Sequence, residues 1–299
     1  MRLKADLALF LTALVWGLGF VAQRIAASHN LGPFTFNGGR FLLGALLLLL
    51  LARRGARPKP KPSSLLWMVL AGVLLFSGSI LQQAGMSYTS AANAGFITGL
   101  YVVIVPLILT LTLKQHFGLV SWVAALLAVA GVWMLSAQGS FRLAPGDGLE
   151  LAGSLLWALH VIVVGWAMLQ VDVLLFSAGQ CLVAGLLCLV AAAAFELPIS
   201  PALGSMWWVI LFSACVPIAL GFTLQAWGQK HAPAADAAIL LSMEAVFAAL
   251  SGYIFLKEGL TPGQIVGCML MLAAMLLAQV KRRPGLEKKV VQSKPVNLA

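Results

Sequence analysis

The chain has 299 residues, of which 61% are hydrophobic and only 9% charged, whereas a soluble domain carries about 25% charged residues. A net charge of +10 in a soluble protein would point to nucleic acid, but here the basic residues flank apolar runs and serve to orient them. The composition excludes a soluble globular domain and indicates a protein embedded in lipid.

Ten mostly apolar stretches follow one another, at 5–27, 33–52, 65–86, 91–113, 119–137, 147–168, 173–194, 206–228, 235–256 and 262–280. Each is long enough to cross a hydrocarbon core of about 30 Å as a helix. None alternates polar and apolar residues as a barrel strand does. The first, MRLKADLALFLTALVWGLGF, has the basic head and apolar body of a secretory signal, but it is long for one and nine further stretches follow. It is expected to stay as the first helix. The expected fold is all-α and polytopic, with ten transmembrane helices. ARRGARPKPKPSS (52–64) is a polar linker whose prolines favour extended backbone. Its basic residues either set topology or touch anionic lipid headgroups. Residues 284–299 read as a disordered tail.

With the N-terminus placed in the cytoplasm, fifteen of the nineteen basic residues fall in inner segments; Arg24, Arg40, Arg142 and Lys257 do not. That skew follows the positive-inside rule and predicts both termini in the cytoplasm of an inner (plasma) membrane protein. Cys181, Cys188, Cys215 and Cys268 lie within apolar stretches without CxxC spacing, so packing, not metal or disulfide, is expected. No cofactor is implied, and no nucleic-acid partner.

The chain repeats itself. Shifted by 143 positions, residues 81–130 align with 224–273 without a gap, and thirteen of the fifty pairs are identical. LQQAG (81–85) meets LQAWG (224–228), and AANA (91–94) meets AADA (234–237). A weaker echo at 141 pairs Trp16 with Trp157. Residues 1–139 and 140–283 thus read as two five-helix units. An odd number of helices turns the second copy over, the inverted arrangement found in secondary transporters.

The sequence resembles the drug/metabolite transporter superfamily, in particular the EamA-type ten-helix bacterial exporters. The resemblance is carried by ALVWGLGFVAQRIA (13–26), TFNGGRFLLGALLL (35–48), SAANAGFITGLYVVIVPL (90–107) and, most specifically, MEAVFAALSGYIFLKEGLTPGQIVGCMLML (243–272). It implies export of small metabolites, amino acids included, without an ATP-binding domain. Family members usually carry proline after the glutamate of the last block, where this chain has Ala245.

Glu244 is the sharpest candidate. A carboxylate at mid-membrane costs several kcal/mol and usually faces a bundle interior or watery cavity. It either meets a substrate ammonium or carries a proton; alternatively it is a neutral acid in one interhelical hydrogen bond. The repeat pairs it with Tyr101, and Asp236 with Asn93. Asn93, Ile97 and Tyr101 share one helical face by i, i+4 spacing, as do Asp236, Leu240 and Glu244; both faces are expected to line a cavity. Gln82 and Gln225 are a matched pair with Gln83 adjacent, suited to a wet cavity or to helix–helix hydrogen bonds. His160 is either a proton relay or a structural donor. Trp16 and Trp157 sit mid-stretch, away from the interfacial belt, as cavity walls or core. Arg40, close to Asn37, is expected to snorkel, with a substrate carboxylate as the alternative. Pro106 and Pro217 kink their helices, as hinges for gating or as static bends.

Three functional classes compete. The leading expectation is a secondary exporter of aromatic and other neutral amino acids by alternating access, with a cationic amphiphile exporter as alternative. An intramembrane enzyme would need a motif such as HExxH or GxSxG, and none is present. A scaffold or receptor would leave the inverted repeat without a purpose. A monomer suffices, since each half supplies the other's partner.

Overall fold

A computed structural model of the chain describes residues 1–54, 62–115, 118–136, 145–259 and 261–280. The expected tail, the centre of the polar linker and the boundary at residues 139 and 140 lie outside these. Helices α1 (Arg2–Ser28), α2 (Pro33–Ala52) and α3 (Pro62–Gly85) are followed by a broken pair, α4 (Ala91–Gly99) and α5 (Tyr101–Leu113). α6 (Leu119–Ser136), α7 (Pro145–Ala167) and α8 (Val173–Phe195) come next, then the short α9 (Ala202–Ser205). α10 (Trp207–Ser213) and α11 (Phe222–Gln229) are joined by a π-helical segment, Ala214–Gly221. A second broken pair, α12 (Ala234–Leu241) and α13 (Glu244–Ser251), runs into a π-helical turn, Gly252–Leu256, before α14 (Pro262–Val280). Among the described residues, eight stretches are long and apolar enough to cross a membrane, and α6 and α14 add two further apolar helices.

Local sequence sets these ends. Pro33 opens α2 at a position where its missing N–H is no loss. Ser90 caps α4 by accepting from the Asn93 N–H at 3.1 Å, and Asp172 caps α8 by accepting from Leu174 and Leu175. The α2 start is capped from across the molecule: Glu196, just past α8, accepts from the N–H groups of Phe34 and Thr35 at 2.8 and 2.7 Å. The matched lysines Lys114 and Lys257 both adopt left-handed backbone, φ 51° and 60°, where the two broken rods end. Such a conformation is uncommon for a side chain other than glycine, and its recurrence at paired positions shows the repeat in the backbone itself.

The halves interlock. α2 packs on α8, α6 on α14, α3 between α7 and α8, and α1 along α11 and α13. The main apolar core draws on both halves, with Phe41, Leu75, Phe96, Val161, Phe222 and Leu241 all buried. Outward leucines such as Leu46, Leu50, Leu186 and Leu189 are about half exposed, the surface that lipid covers. Gly95 lets α4 meet α13, because a Cβ there would press on that of Ala248. At the Met1 face, Arg2 ties α1 to α12 through Asp236 at 2.5 Å and the His231 carbonyl at 3.2 Å.

Candidate functional site

The broken helices position the site. α4 stops at Leu100 and α12 at Ser242–Met243, so Tyr101 and Glu244 each begin the second half of a rod. The break beside Glu244 forms without a proline, since Ala245 follows it. A carboxylate at a helix start is favoured by the exposed N–H groups and the helix dipole. Both residues are almost wholly buried from the exterior and line one central cavity.

That cavity measures about 40 Å3 as space open to water centres, room for about three waters. Its walls combine aromatic rings with polar groups from both halves: Trp16, Trp157 and Phe222 against Arg40, Gln82 and Glu244. The repeat-matched indoles of Trp16 and Trp157 stand 6.4 Å apart, and each contacts the Phe222 ring. Trp16 Nε1 donates to the Pro217 carbonyl at 3.0 Å, inside the π-helical segment. The Tyr101 hydroxyl lies beside the Glu244 carboxyl, yet neither the hydroxyl nor Glu244 Oε1 has a well-aligned hydrogen-bond partner among the described residues.

Arg40 corrects an expectation. It does not snorkel: the residue is 4% exposed and its guanidinium borders the cavity. Nε and Nη2 both donate to Asn37 Oδ1, at 2.9 and 2.6 Å. The Phe36 and Phe41 rings lie 4.8 and 5.2 Å from its Cζ, a cation–π setting that holds the charge inward. Among the described residues no acidic side chain forms an ion pair with Arg40, and no basic one with Glu244.

Other predicted residues stand elsewhere. Gln83 is buried and donates to the Gln23 carbonyl at 3.1 Å. His160 Nε2 lies 2.8 Å from Gln180 Oε1, bridging α7 to α8, with its ring edge-on to Trp157 and Phe222; it does not line the cavity. Gln225 is fully buried, and among the described residues neither of its amide atoms has a partner. The helical-face expectation fails in part. Because α4 breaks at Leu100, the cavity takes Thr98 with Tyr101, while Asn93 and Ile97 are half-buried beyond it and Leu240 packs in the core. Pro217 borders the cavity; Pro106 lies within α5, away from it.

Sequence reasoning missed Thr98, Phe222 and Glu150. Thr98 receives a hydrogen bond from Gln82 Nε2 at 3.0 Å and donates to Glu150 Oε2 at 3.4 Å. Glu150 sits near the start of its apolar stretch, yet it has no exposed surface.

The profile of the EamA-like transporter family matches residues 3–137 and, a second time, 144–279. An uncharacterized transporter of Archaeoglobus fulgidus is 32% identical over 284 residues, covering 94% of this chain and 87% of the relative. The uncharacterized transporter YoaV of Bacillus subtilis is 22% identical, covering 92% and 96%. A solved crystal structure superposes with a TM-score of 0.78 at 20% identity, over 94% of this chain and 99% of the other, a likeness of fold.

Proposed function

The chain belongs to the EamA-like transporter family, and from that premise we propose that it exports aromatic and other neutral amino acids by alternating access around this cavity. It is a multi-pass membrane transporter, not an enzyme. The observation that carries the finer reading is the pair of opposite charges, Arg40 and Glu244, set on one small cavity without pairing with each other. A buried charge lacking a partner costs several kcal/mol. A zwitterion supplies both partners at once, its carboxylate to Arg40 and its ammonium to Glu244. Trp16, Trp157 and Phe222 between them offer an apolar or aromatic side chain its wall. A cationic amphiphile, the second reading, satisfies Glu244 but leaves Arg40 facing a like charge.

The same proposal places both termini in the cytoplasm, by the basic skew, and turns the second repeat over relative to the first. A cavity holding only a few waters must widen to take a metabolite, and two interlocked, similar halves provide matched movements for that. Glu244 binds and releases the ammonium as the halves exchange. The broken rods, with Pro106 and Pro217, supply the bends. The protein works as a monomer in the plasma membrane.

Counterflow of labelled phenylalanine in proteoliposomes tests this. Unlabelled phenylalanine and threonine are expected to compete, and a quaternary ammonium dye to leave exchange unchanged. Exchange blocked by the dye but not by amino acids would overturn the amino-acid reading.

A further inference from the structure

Next to the cavity wall, beyond Thr98, a second buried acid has no role in binding a zwitterion. Glu150 lies one turn into α7 with no exposed surface, and its Oε1 has no hydrogen-bond partner among the described residues. Its carboxyl fits a recess left by Gly85 of α3, where a Cβ would come within 2.9 Å of Oε1. Oε2 accepts from Thr98, which accepts in turn from Gln82, and both of these border the cavity. Toward the membrane surface, Asp147 stands three residues earlier on the same face of α7 and accepts from Thr89 at 3.1 Å. A chain of oxygen atoms thus runs from the end of α7, through a sealed carboxyl, to the substrate cavity.

We propose that Asp147, Glu150 and Thr98 form a proton path that couples transport to a proton gradient, with Glu150 as its carrier. This rests on the transport reading above. Among the described residues, the charged groups facing Glu150 are Asp147 on its own helix and Glu244 from α13, and α3 and α4 bring the amide of Gln82 and the hydroxyl of Thr98. Both charged neighbours are acids, and no basic side chain forms an ion pair with Glu150 among the described residues. Acids gathered in one low-dielectric region repel one another when ionised, and Glu150 is the one with no exposed surface. A metal ion fits less well, for no cluster of metal-ligating side chains forms among the described residues. The step is a plain transfer. A proton from water joins the Asp147 carboxylate and passes to Glu150. The Thr98 hydroxyl next turns its proton from Glu150 toward the cavity. Glu150 then donates a proton to the Thr98 oxygen as that hydroxyl releases its own to the cavity, where Glu244 accepts it after the substrate ammonium has left. His160, held by Gln180 outside the cavity, is not needed.

The test uses the full chain in proteoliposomes and two assays: phenylalanine exchange at equal pH, and accumulation under a one-unit pH gradient. With one proton moved per substrate, that gradient supports about tenfold accumulation, each unit being one tenfold ratio. Wild type is expected to show both. Glu150→Gln is expected to keep exchange within about twofold and to lose the accumulation, because an isosteric amide cannot pass a proton on. Asp147→Asn carries the same expectation should Glu150→Gln fail to fold. Accumulation by both variants equal to wild type overturns the path. So does wild-type exchange that ignores the pH gradient or answers to a sodium gradient instead. Absence of exchange in wild type, with every amino acid tried, overturns the transport reading itself.

Discussion

Tyr101 and Glu244, 143 positions apart, each start the second half of a broken helix and each face the central cavity. Gln82 and Gln225, matched by the same shift, part company: Gln82 borders the cavity and bonds Thr98, whereas Gln225 is sealed away with no partner for either amide atom among the described residues. Asn93 and Asp236 differ again, since Asp236 is engaged by Arg2 while the buried Asn93 Oδ1 has no partner among the described residues. The duplication has kept helix breaks and left-handed ends in register, and the two halves have shared out the chemistry. The second half brings the acids Glu244 and Glu150; the first brings the cation Arg40 and the amide Gln82.

Substitutions at matched positions sharpen this contrast. The largest effect is expected from Glu244→Gln. Losing a charge-assisted bond worth about 1.5–3 kcal/mol lowers phenylalanine exchange by roughly 10- to 150-fold, measured as initial counterflow rate. A loss under about twofold would deny Glu244 a direct part in binding. Arg40→Met removes the opposite charge while keeping bulk between Phe36 and Phe41, and exchange is expected to fall by about tenfold or more. Binding that survives intact would show that Arg40 only braces Asn37. Tyr101→Phe deletes one neutral hydroxyl, worth about 0.5–1.5 kcal/mol, so a reduction of roughly 2- to 12-fold follows. An effect equal to that of Glu244→Gln would mean that the halves contribute alike. Smallest in transport is Gln225→Leu. Removing two orphaned polar atoms is expected to leave exchange unchanged and to raise the melting temperature by about 2 °C or more, while Gln82→Leu impairs exchange. A destabilised Gln225→Leu protein would reveal a buried partner for that amide, such as an ordered water.

Much of the fold was legible in the residues because a membrane imposes a length and a polarity on each helix. The apolar stretches predicted at 33–52, 91–113 and 262–280 coincide with α2, α4–α5 and α14. The repeat also exposed Trp16, Trp157, Tyr101 and Glu244, since identity or contrast at one fixed shift picks out equivalent depths. Helical spacing then misled. It assumes an unbroken rod, and the turn at Leu100 rotates Thr98 onto the cavity in place of Ile97. No proline or glycine pair marks Ser242–Met243, so that break comes from tertiary packing and leaves no local sign. Arg40 was read from its side chain's usual behaviour, whereas two aromatic rings and Asn37 from its own helix turned it inward. Glu150 escaped because distance from a stretch end is a poor measure of burial where α3, α4 and α7 close over it.

The account stands on recognition of two opposite charges on one molecule. Counterflow competition against labelled phenylalanine, using phenylalaninamide without a carboxylate and 3-phenylpropionate without an ammonium, measures that recognition directly. Phenylalanine should compete fully and each analogue at least about tenfold more weakly, the effect of one missing charged partner; with Arg40→Met, the gap between phenylalanine and its amide should close. Equal competition by phenylalanine and phenylalaninamide in the unaltered protein would contradict the zwitterion cavity.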